Sequence, residues 1–199
     1  GDTARNRILN NKIVHAGAAG ISIAGDGPGN PHLWSDASQL EEAAQQCPKS
    51  VNNVIMDNQI HHCGCIRRNG AAIQVYGVKS VDCVISHNWI HDTPDKGICM
   101  QDGFGRFFVE YNEIHNVVYE SGDAGAYYVG RDYTQRGMIL RYNYWHDIAG
   151  ETGYGGMTVY LDDQHCGHTI HGNLFERCSN AVFIGGGDDN IVTNNVFVG

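Results

Sequence analysis

Aspartates in the second half of the chain are the side chains best suited to chemistry. The main candidates are Asp123, Asp132, Asp162 and Asp163. Crowded carboxylates raise one another's pKa, so that one can remain protonated as a general acid while its neighbour acts as a base or nucleophile. The simpler interpretation is that these residues cap tight turns or bind Ca²⁺ between coils. The choice depends on whether the fold brings them together.

A repeat centred on asparagine would bring these distant residues together. Seven segments share the pattern apolar, two residues, Asn, one residue, apolar. They are 8–13, 55–60, 85–90, 109–114, 140–145, 170–175 and 192–197, with Asn11, Asn58, Asn88, Asn112, Asn143, Asn173 and Asn195. After a longer first interval these asparagines recur about every 22 to 31 residues, a period typical of solenoids with one coil per repeat.

A second apolar alternation follows each of the first six asparagines. Its pairs are Ile21/Ile23, Ile73/Val75, Ile98/Met100, Tyr127/Val129, Val159/Leu161 and Val182/Ile184. A period of two predicts β-strands. Asparagine suits the bends between strands, because it tolerates left-handed backbone angles and its amide can bond from coil to coil. The fold predicted is all-β, a right-handed parallel β-helix of about seven coils.

Residues between and just after these apolar pairs are predicted to face solvent on one sheet. Adjacent strands lie about 4.8 Å apart, so side chains one and two coils apart are separated by about 5 and 10 Å. Retaining glycosidases hold their carboxyl groups about 5–5.5 Å apart and inverting enzymes about 6.5–9.5 Å. We therefore predict that Asp123 pairs with Asp163 or Asp162, with Asp132 as a further candidate.

The same face carries aromatic and charged side chains suited to sugar binding. Tyr76, Tyr128 and Tyr160 are predicted to stack on sugar rings, whose CH faces are apolar. Asp102 lies on the same side. Arg131 is expected either to neutralise a substrate carboxylate or to pair with an aspartate.

A column of four histidines, His61, His91, His115 and His146, follows the ladder asparagines by three residues. Zinc needs convergent tetrahedral ligands, whereas a repeat places these imidazoles in a straight line. The sequence therefore predicts no metal site here and no required cofactor, and it leaves Ca²⁺ as an optional ligand elsewhere in the chain. His146 is a candidate contributor to the substrate site through its loop.

Composition limits the partners that the chain can have. The net charge of −9 argues against nucleic acid, since binding to a phosphate backbone relies on Lys and Arg. No stretch reaches the roughly 18 apolar residues that a membrane span needs.

Residues 25–52 form a loop insertion with a predicted short helix over 40–46. Because solenoids need caps and the chain begins and ends within a coil, we expect neighbouring domains of a longer chain.

Several motifs together resemble right-handed parallel β-helix repeat proteins. They are Ser-Gly-Asp-Ala-Gly-Ala-Tyr-Tyr at 121–128, Gly-Arg-Asp-Tyr-Thr-Gln-Arg-Gly at 130–137, Arg-Tyr-Asn-Tyr-Trp-His-Asp at 141–147, Val-Tyr-Leu-Asp-Asp at 159–163 and Gly-Gly-Gly-Asp-Asp-Asn at 185–190. Within that group the chain looks most like β-helix glycoside hydrolases with fucosidase- and xylanase-type members. The resemblance implies a catalytic pair at Asp123 and Asp163, a polysaccharide substrate, and secretion or a cell-surface location.

Two other enzyme groups share part of the pattern. Polygalacturonase-like enzymes carry an Asp, an Asp-Asp pair and a His, which resemble Asp132, Asp162-Asp163 and His165 or His168. Their Asn-Thr-Asp and Gly-His-Gly signatures are missing. β-Helix lyases, which the chain resembles more distantly, use Lys or Arg bases and Ca²⁺, and Arg131 is the only good basic candidate on the acidic coils.

The sequence thus favours a polysaccharide-cleaving enzyme, most simply a glycoside hydrolase with paired aspartates. The first alternative is a structural or filament-forming β-helix module without catalysis. The second is a Ca²⁺-assisted polysaccharide lyase. A carbohydrate-binding module without activity is a further alternative. Two carboxylates converging in an open groove favour hydrolysis, whereas a buried or salt-bridged set favours a structural role.

Overall fold

The structure is a computed structural model that describes residues 3–24, 49–76, 79–101, 106–131, 135–150 and 156–199. Within these ranges all regular secondary structure is β-strand, and the strands pair in parallel. The helix predicted over 40–46 lies outside the described residues. The prediction of an all-β parallel β-helix is confirmed.

Three long sheets and one short sheet run along the solenoid. The first sheet contains β2 (Arg7–Leu9), β6 (Val54–Met56), β10 (Cys83–Ser86), β13 (Phe107–Glu110), β16 (Met138–Arg141), β19 (Thr169–His171) and β22 (Ile191–Thr193). The second sheet contains β3 (Lys12–Val14), β7 (Gln59–His61), β11 (Trp89–Thr93), β14 (Glu113–Val117), β17 (Tyr144–Ile148), β20 (Leu174–Cys178) and β23 (Val196–Val198).

The third sheet contains β4 (Ile21–Ala24), β8 (Ile73–Tyr76), β12 (Ile98–Gln101), β15 (Ala124–Gly130), β18 (Gly156–Asp162) and β21 (Asn180–Ile184). The short sheet contains β1 (Thr3–Ala4), β5 (Lys49–Val51) and β9 (Lys79–Val81). Seven strands in each of the first two sheets give the seven coils that the asparagine repeat predicts.

The core consists of apolar side chains stacked in columns, one column from each long sheet. The first sheet contributes Ile55, Ile85, Val109, Leu140 and Ile170, all at most 1% exposed. The second contributes Ile60, Ile90, Ile114, Trp145 and Phe175. The third contributes Ile73, Ile98, Tyr127 and Val159. The strand register aligns equivalent positions, as in the pairing of Ile85 with Ile55 and Val109, so apolar residues that recur once per coil bury one another.

The asparagines form a continuous hydrogen-bonded ladder between the first and second sheets. At its centre, the Asn112 side-chain oxygen accepts the backbone N–H and the Nδ2 of Asn88, both at 2.9 Å. The Asn112 amide donates to Asn143 Oδ1 at 3.0 Å and to the carbonyl of Ile85 at 3.0 Å. The same bonds recur from Asn11 to Asn195, so each coil is tied to the next through one amide.

The left-handed backbone angle at these bends lies one residue earlier than the sequence indicates. The residues with positive φ are Asn10, Asp57, His87, Tyr111, Tyr142, Gly172 and Asn194, each directly before a ladder asparagine. The expectation that the ladder asparagine itself takes this conformation was wrong. Its amide is needed for bonding between coils, and the turn is made by a neighbour that is usually not glycine.

Replacing Asn112 by Ala is expected to destabilise the fold strongly. Asn112 is 1% exposed, and its removal leaves the buried amide groups of Asn88 without their acceptor. A buried group left unsatisfied costs about 1–3 kcal/mol, so a total loss of about 4 kcal/mol is expected. Urea unfolding followed by circular dichroism measures it.

The matched control is Asn195→Ala, at the end of the ladder. Asn195 is partly exposed and water can replace its bonds to Asn173, so a loss of about 1 kcal/mol is expected. Equal losses at the two positions would contradict a ladder whose interior amides depend on one another.

Candidate functional site

An open groove of about 640 Å³ crosses the outer face of the third sheet. Its floor includes Gln74 and Tyr76 of β8, Cys99 and Gln101 of β12, and Tyr128 of β15. Loops that lead into the third sheet supply its wall, with Arg67, Asn69, Lys96 and Asp123. The floor residues belong to the outward set predicted from the period-two alternation, and the aromatic and amide groups among them suit a sugar.

Tyr128, Tyr160 and Phe183 occupy one register position on adjacent strands of the third sheet. Their rings contact edge to face, with centroid distances of 5.3 Å for Tyr128–Tyr160 and 5.1 Å for Tyr160–Phe183. Tyr160 is therefore only 6% exposed. A ring covered on both sides cannot stack on a sugar, so the binding role predicted for Tyr160 does not fit the structure. Tyr76 and Tyr128 line the groove.

The two tyrosine hydroxyls bind the two aspartates that flank this aromatic column. Tyr160 donates to Asp123 Oδ1 at 3.1 Å, and Tyr128 donates to Asp162 Oδ2 at 2.9 Å. Gly130 allows the second bond, because a Cβ atom there would lie 2.9 Å from the Tyr128 hydroxyl and 3.0 Å from Asp162 Cβ. The tyrosines thus orient both carboxylates.

The Tyr160 hydroxyl binds Asp123 and lies in the field of Asp162. Burial raises the pKa of Tyr160 most, and the Asp162 charge and the hydrogen bond to Asp123 raise it further. Burial and the bond to Asp162 likewise raise the pKa of Tyr128, so both hydroxyls stay protonated as donors. The Tyr128 and Tyr160 rings are in contact at 5.3 Å and each hydroxyl binds one carboxylate, so Asp123 and Asp162 lie on the same part of the third sheet.

Asp163 pairs with Arg131 at the surface of the third sheet. It has a positive φ of 37°, as has its coil neighbour Arg131 at 63°. The Arg131 Nε bonds Asp163 Oδ2 at 3.0 Å, and both side chains are more than half exposed. The structure thus holds Asp123 and Asp162 on neighbouring tyrosines and pairs Asp163 with Arg131, the second of the two roles expected for this arginine.

Three predicted site residues remain, namely Asp102, Asp132 and His146. Asp102 and Asp132 lie outside the described residues. His146 lies on the second sheet, where its ring stacks on His115 at 4.5 Å and on Tyr144 at 4.2 Å. The predicted histidine column is present, with stacked neighbouring rings 4.5–5.1 Å apart from His61 to His146.

Lys96 is a groove residue that the sequence analysis missed. It precedes β12 in a loop, outside the repeat positions, so no spacing singled it out. Its Nζ binds the Asp95 carboxylate at 2.9 and 3.1 Å and lies 5.3 Å from the centre of the Tyr128 ring. Together with Arg67 it gives the wall of the groove two cationic groups opposite the aromatic column.

His165 and His168, the candidates for a polygalacturonase-like histidine, are both completely buried. His168 Nδ1 lies 3.3 Å from the Cys166 carbonyl, which requires a proton on Nδ1. Nε2 therefore accepts the Tyr127 hydroxyl at 3.1 Å. A residue enclosed in this way cannot reach a substrate, so that candidate arrangement was wrong for both histidines.

The sequence matches the family model described as a right handed beta helix region over residues 8–197. No curated protein and no solved structure matches the chain. Among the described residues, no helix is long and apolar enough to cross a membrane.

Acid is expected to destabilise the protein through His168. Burial lowers the pKa of His168 to about 4, against 6.5 for the free side chain. The unfolded chain therefore takes up a proton as pH falls below 6.5 while the folded one stays neutral until about 4. Full stability is present above pH 6.5 and is lost towards pH 4, with about 2 kcal/mol lost between pH 7 and pH 5.

Urea unfolding at pH 7 and pH 5 tests this expectation on wild type and His168→Gln. The variant should lose about 2 kcal/mol less than wild type over this interval, whatever its stability at pH 7. Tyr127→Phe is the control, since it removes the hydroxyl but keeps the burial that is the main cause of the shift. An equal pH dependence in His168→Gln and wild type would show that His168 is not the titrating group.

Proposed function

The chain belongs to the right-handed β-helix family, and on this scaffold we propose that it hydrolyses a polysaccharide, with Asp123 and Asp162 as the catalytic carboxyl pair. The polymer lies along the groove of the third sheet. The proposal rests above all on the hydrogen bonds that hold these two carboxylates on the neighbouring tyrosines Tyr160 and Tyr128. The pair predicted from the resemblance included Asp163, and the geometry favours Asp162.

Glycoside hydrolysis sets the separation that the two carboxyl groups need. It is about 5–5.5 Å in retaining enzymes and about 6.5–9.5 Å in inverting enzymes. In either mechanism one carboxyl group protonates the leaving oxygen, while the other attacks the anomeric carbon or activates a water. Tyr128 and Tyr160 act as positioning residues, since each holds one carboxylate by a hydrogen bond.

The groove offers what a sugar chain requires. Tyr76 is 39% exposed and Tyr128 is half-buried, so each presents apolar ring surface to the groove. Gln74, Gln101 and Asn69 supply amides that donate to and accept from hydroxyl groups. Because a polysaccharide does not cross membranes, we also propose that the protein acts outside the cell or at its surface.

Removal of either carboxylate is expected to abolish hydrolysis. Asp123→Asn and Asp162→Asn keep the side-chain shape but lose the acid or the nucleophile, and kcat should fall by at least about 10³-fold. The measurement is release of reducing ends from a panel of plant, algal and bacterial polysaccharides. An aryl glycoside of the responsive sugar then separates the roles, because a good leaving group needs no acid and restores cleavage only in the acid variant.

Asp163→Asn is the matched control for these two variants. It lies next to Asp162 in the chain but pairs with Arg131 at the surface, so its activity should stay within about twofold of wild type. Wild-type activity in both Asp123→Asn and Asp162→Asn would remove this site. Melting curves confirm that each variant is folded.

A second candidate is elimination from a uronate-containing polysaccharide, the lyase reaction. One observation favours it, namely that Lys96 and Arg67 line the groove, although the sequence analysis found no lysine there. Two cations can neutralise a uronate carboxylate and so acidify the neighbouring C–H bond. A groove carboxylate such as Asp123 would take that proton, and the glycosidic oxygen would leave with the electrons of its C–O bond as the double bond forms. Lyase action leaves a carbon–carbon double bond in the product, which absorbs in the ultraviolet.

Lys96→Met distinguishes the two reactions. Loss of the cation should reduce ultraviolet-absorbing product at least about 100-fold if the protein is a lyase. Hydrolysis of a neutral polysaccharide by Asp123 and Asp162 should change by less than about threefold. The measurement compares ultraviolet absorbance with reducing ends on the same substrate. Activity in neither assay over the whole panel would favour the alternative of a non-catalytic structural module.

A further inference from the structure

The histidine column of the second sheet acquires a carboxylate at its end. Glu113 on β14 lies diagonally opposite His146 on β17, because Glu113 pairs with Tyr144 and His115 pairs with His146. The Oε1 of Glu113 is 3.4 Å from Nε2 of His146. One ligand atom from each of Glu113, His115 and His146 fits within a span of 4.8 Å. At this end of the column, the Glu113 carboxylate therefore lies close to the last two imidazoles of the line predicted from the repeat.

From this group we infer a binding site for a divalent transition-metal ion of the zinc class, formed by Glu113, His115 and His146. Zinc binds imidazole nitrogen and carboxylate oxygen at about 2.0–2.2 Å in a tetrahedron, which puts neighbouring ligand atoms about 3.4 Å apart. Glu113 and His146 already have this spacing. The His115 ring stacks on His146 at 4.5 Å and an interplanar angle of 15°, so it must rotate out of this stack to become the third ligand, and water completes the shell.

A second layer of hydrogen bonds supports His146 as a ligand. Its Nδ1 donates to Asp147 Oδ2 at 2.7 Å, which leaves Nε2 as the nitrogen that faces Glu113 and is available to an ion. Asp147 is in turn held by Arg177 at 2.6 and 2.9 Å. Carboxylates bound to the second nitrogen of a metal-ligating histidine fix its tautomer and orientation. Asp147 and Arg177 are therefore positioning residues for the site.

The carboxylate makes this end of the column different from the other end. His61 and His91 stack in the same way, at 4.5 Å, and Asp92 holds His91 Nδ1 at 2.7 Å as Asp147 holds His146. At the position corresponding to Glu113 the earlier strands carry Gln59 and Trp89. Within the part of the chain that the structure describes, only the group with Glu113 forms such a cluster. This difference supplies matched controls on the same sheet.

Trp89 gives the site an optical signal. Its indole Nε1 donates to His115 Nε2 at 3.1 Å, and its ring is 42% exposed. Metal binding at His115 Nε2 replaces this hydrogen bond, and the freed N–H turns to water at little cost. Cu²⁺, which binds such donor sets more tightly than Zn²⁺, quenches a nearby indole. Both ions can therefore be measured in one protein.

The test is a titration of the untagged, chelator-treated chain with Zn²⁺ by calorimetry and with Cu²⁺ by tryptophan fluorescence. We expect one saturable site per chain in both titrations. His146→Ala should weaken Zn²⁺ binding at least about 100-fold and Glu113→Gln at least about tenfold. Asp147→Asn should weaken it about tenfold, as for other supporting carboxylates. Trp89→Phe should keep Zn²⁺ affinity and lose most of the Cu²⁺ quenching.

His61→Ala is the control in the same column and should change affinity by less than about twofold. Equal weakening by His61→Ala and His146→Ala would show diffuse binding to the imidazole row and overturn the proposal. So would the absence of saturable binding by wild type up to about 100 μM Zn²⁺. Glu113 is exposed, so Glu113→Gln should fold normally. This variant tests the site even if His146→Ala fails to fold. The site lies on a different sheet from the groove, so its outcome is separate from the cleavage assays.

Discussion

The coil-to-coil asparagine bond is the constraint on which the rest of the structure depends. Each ladder oxygen accepts two N–H groups of the preceding coil, and each ladder amide donates back to that coil. A buried polar group is costly unless it is fully bonded, so a shift of register by one residue would leave an amide unpaired on every coil. This requirement aligns the strands, and the alignment turns once-per-coil residues into columns. Both candidate sites are formed by side chains that belong to such columns.

The columns explain how a fold made of repeats can hold chemistry. Identical residues in a column stack on one another, as the histidines and the core isoleucines do, and their role is then structural. Chemistry arises where a column changes. On the third sheet, Gln74 and Cys99 give way to Tyr128 and Tyr160, and the aspartates gather at that change. On the second sheet, Glu113 follows Gln59 and Trp89, and the histidines gain a carboxylate partner.

The sequence predicted the scaffold well because the scaffold is periodic. Seven asparagines and six apolar pairs were enough to place the strands, the register and the core. The site was predicted less completely, because its details depend on backbone angles and loops that have no period. Positive φ at Asp163 turns that carboxylate towards Arg131 and leaves Asp162 beside Tyr128. Lys96 lines the groove from a loop outside the repeat, so its position could not be predicted from residue spacing.

Burial of Tyr160 shows why a side chain's role follows from its neighbours more than from its type. An outward tyrosine between smaller residues would be a platform for a sugar, as Tyr76 can be. The Tyr160 ring is covered by Tyr128 and Phe183, so its hydroxyl, which binds Asp123, is the group that determines its role. That hydroxyl remains protonated because burial and nearby carboxylates both oppose its ionisation. In the hydrolysis that we propose, this neutral hydroxyl binds Asp123 without adding a charge that would compete with the charge that develops on the sugar at the transition state.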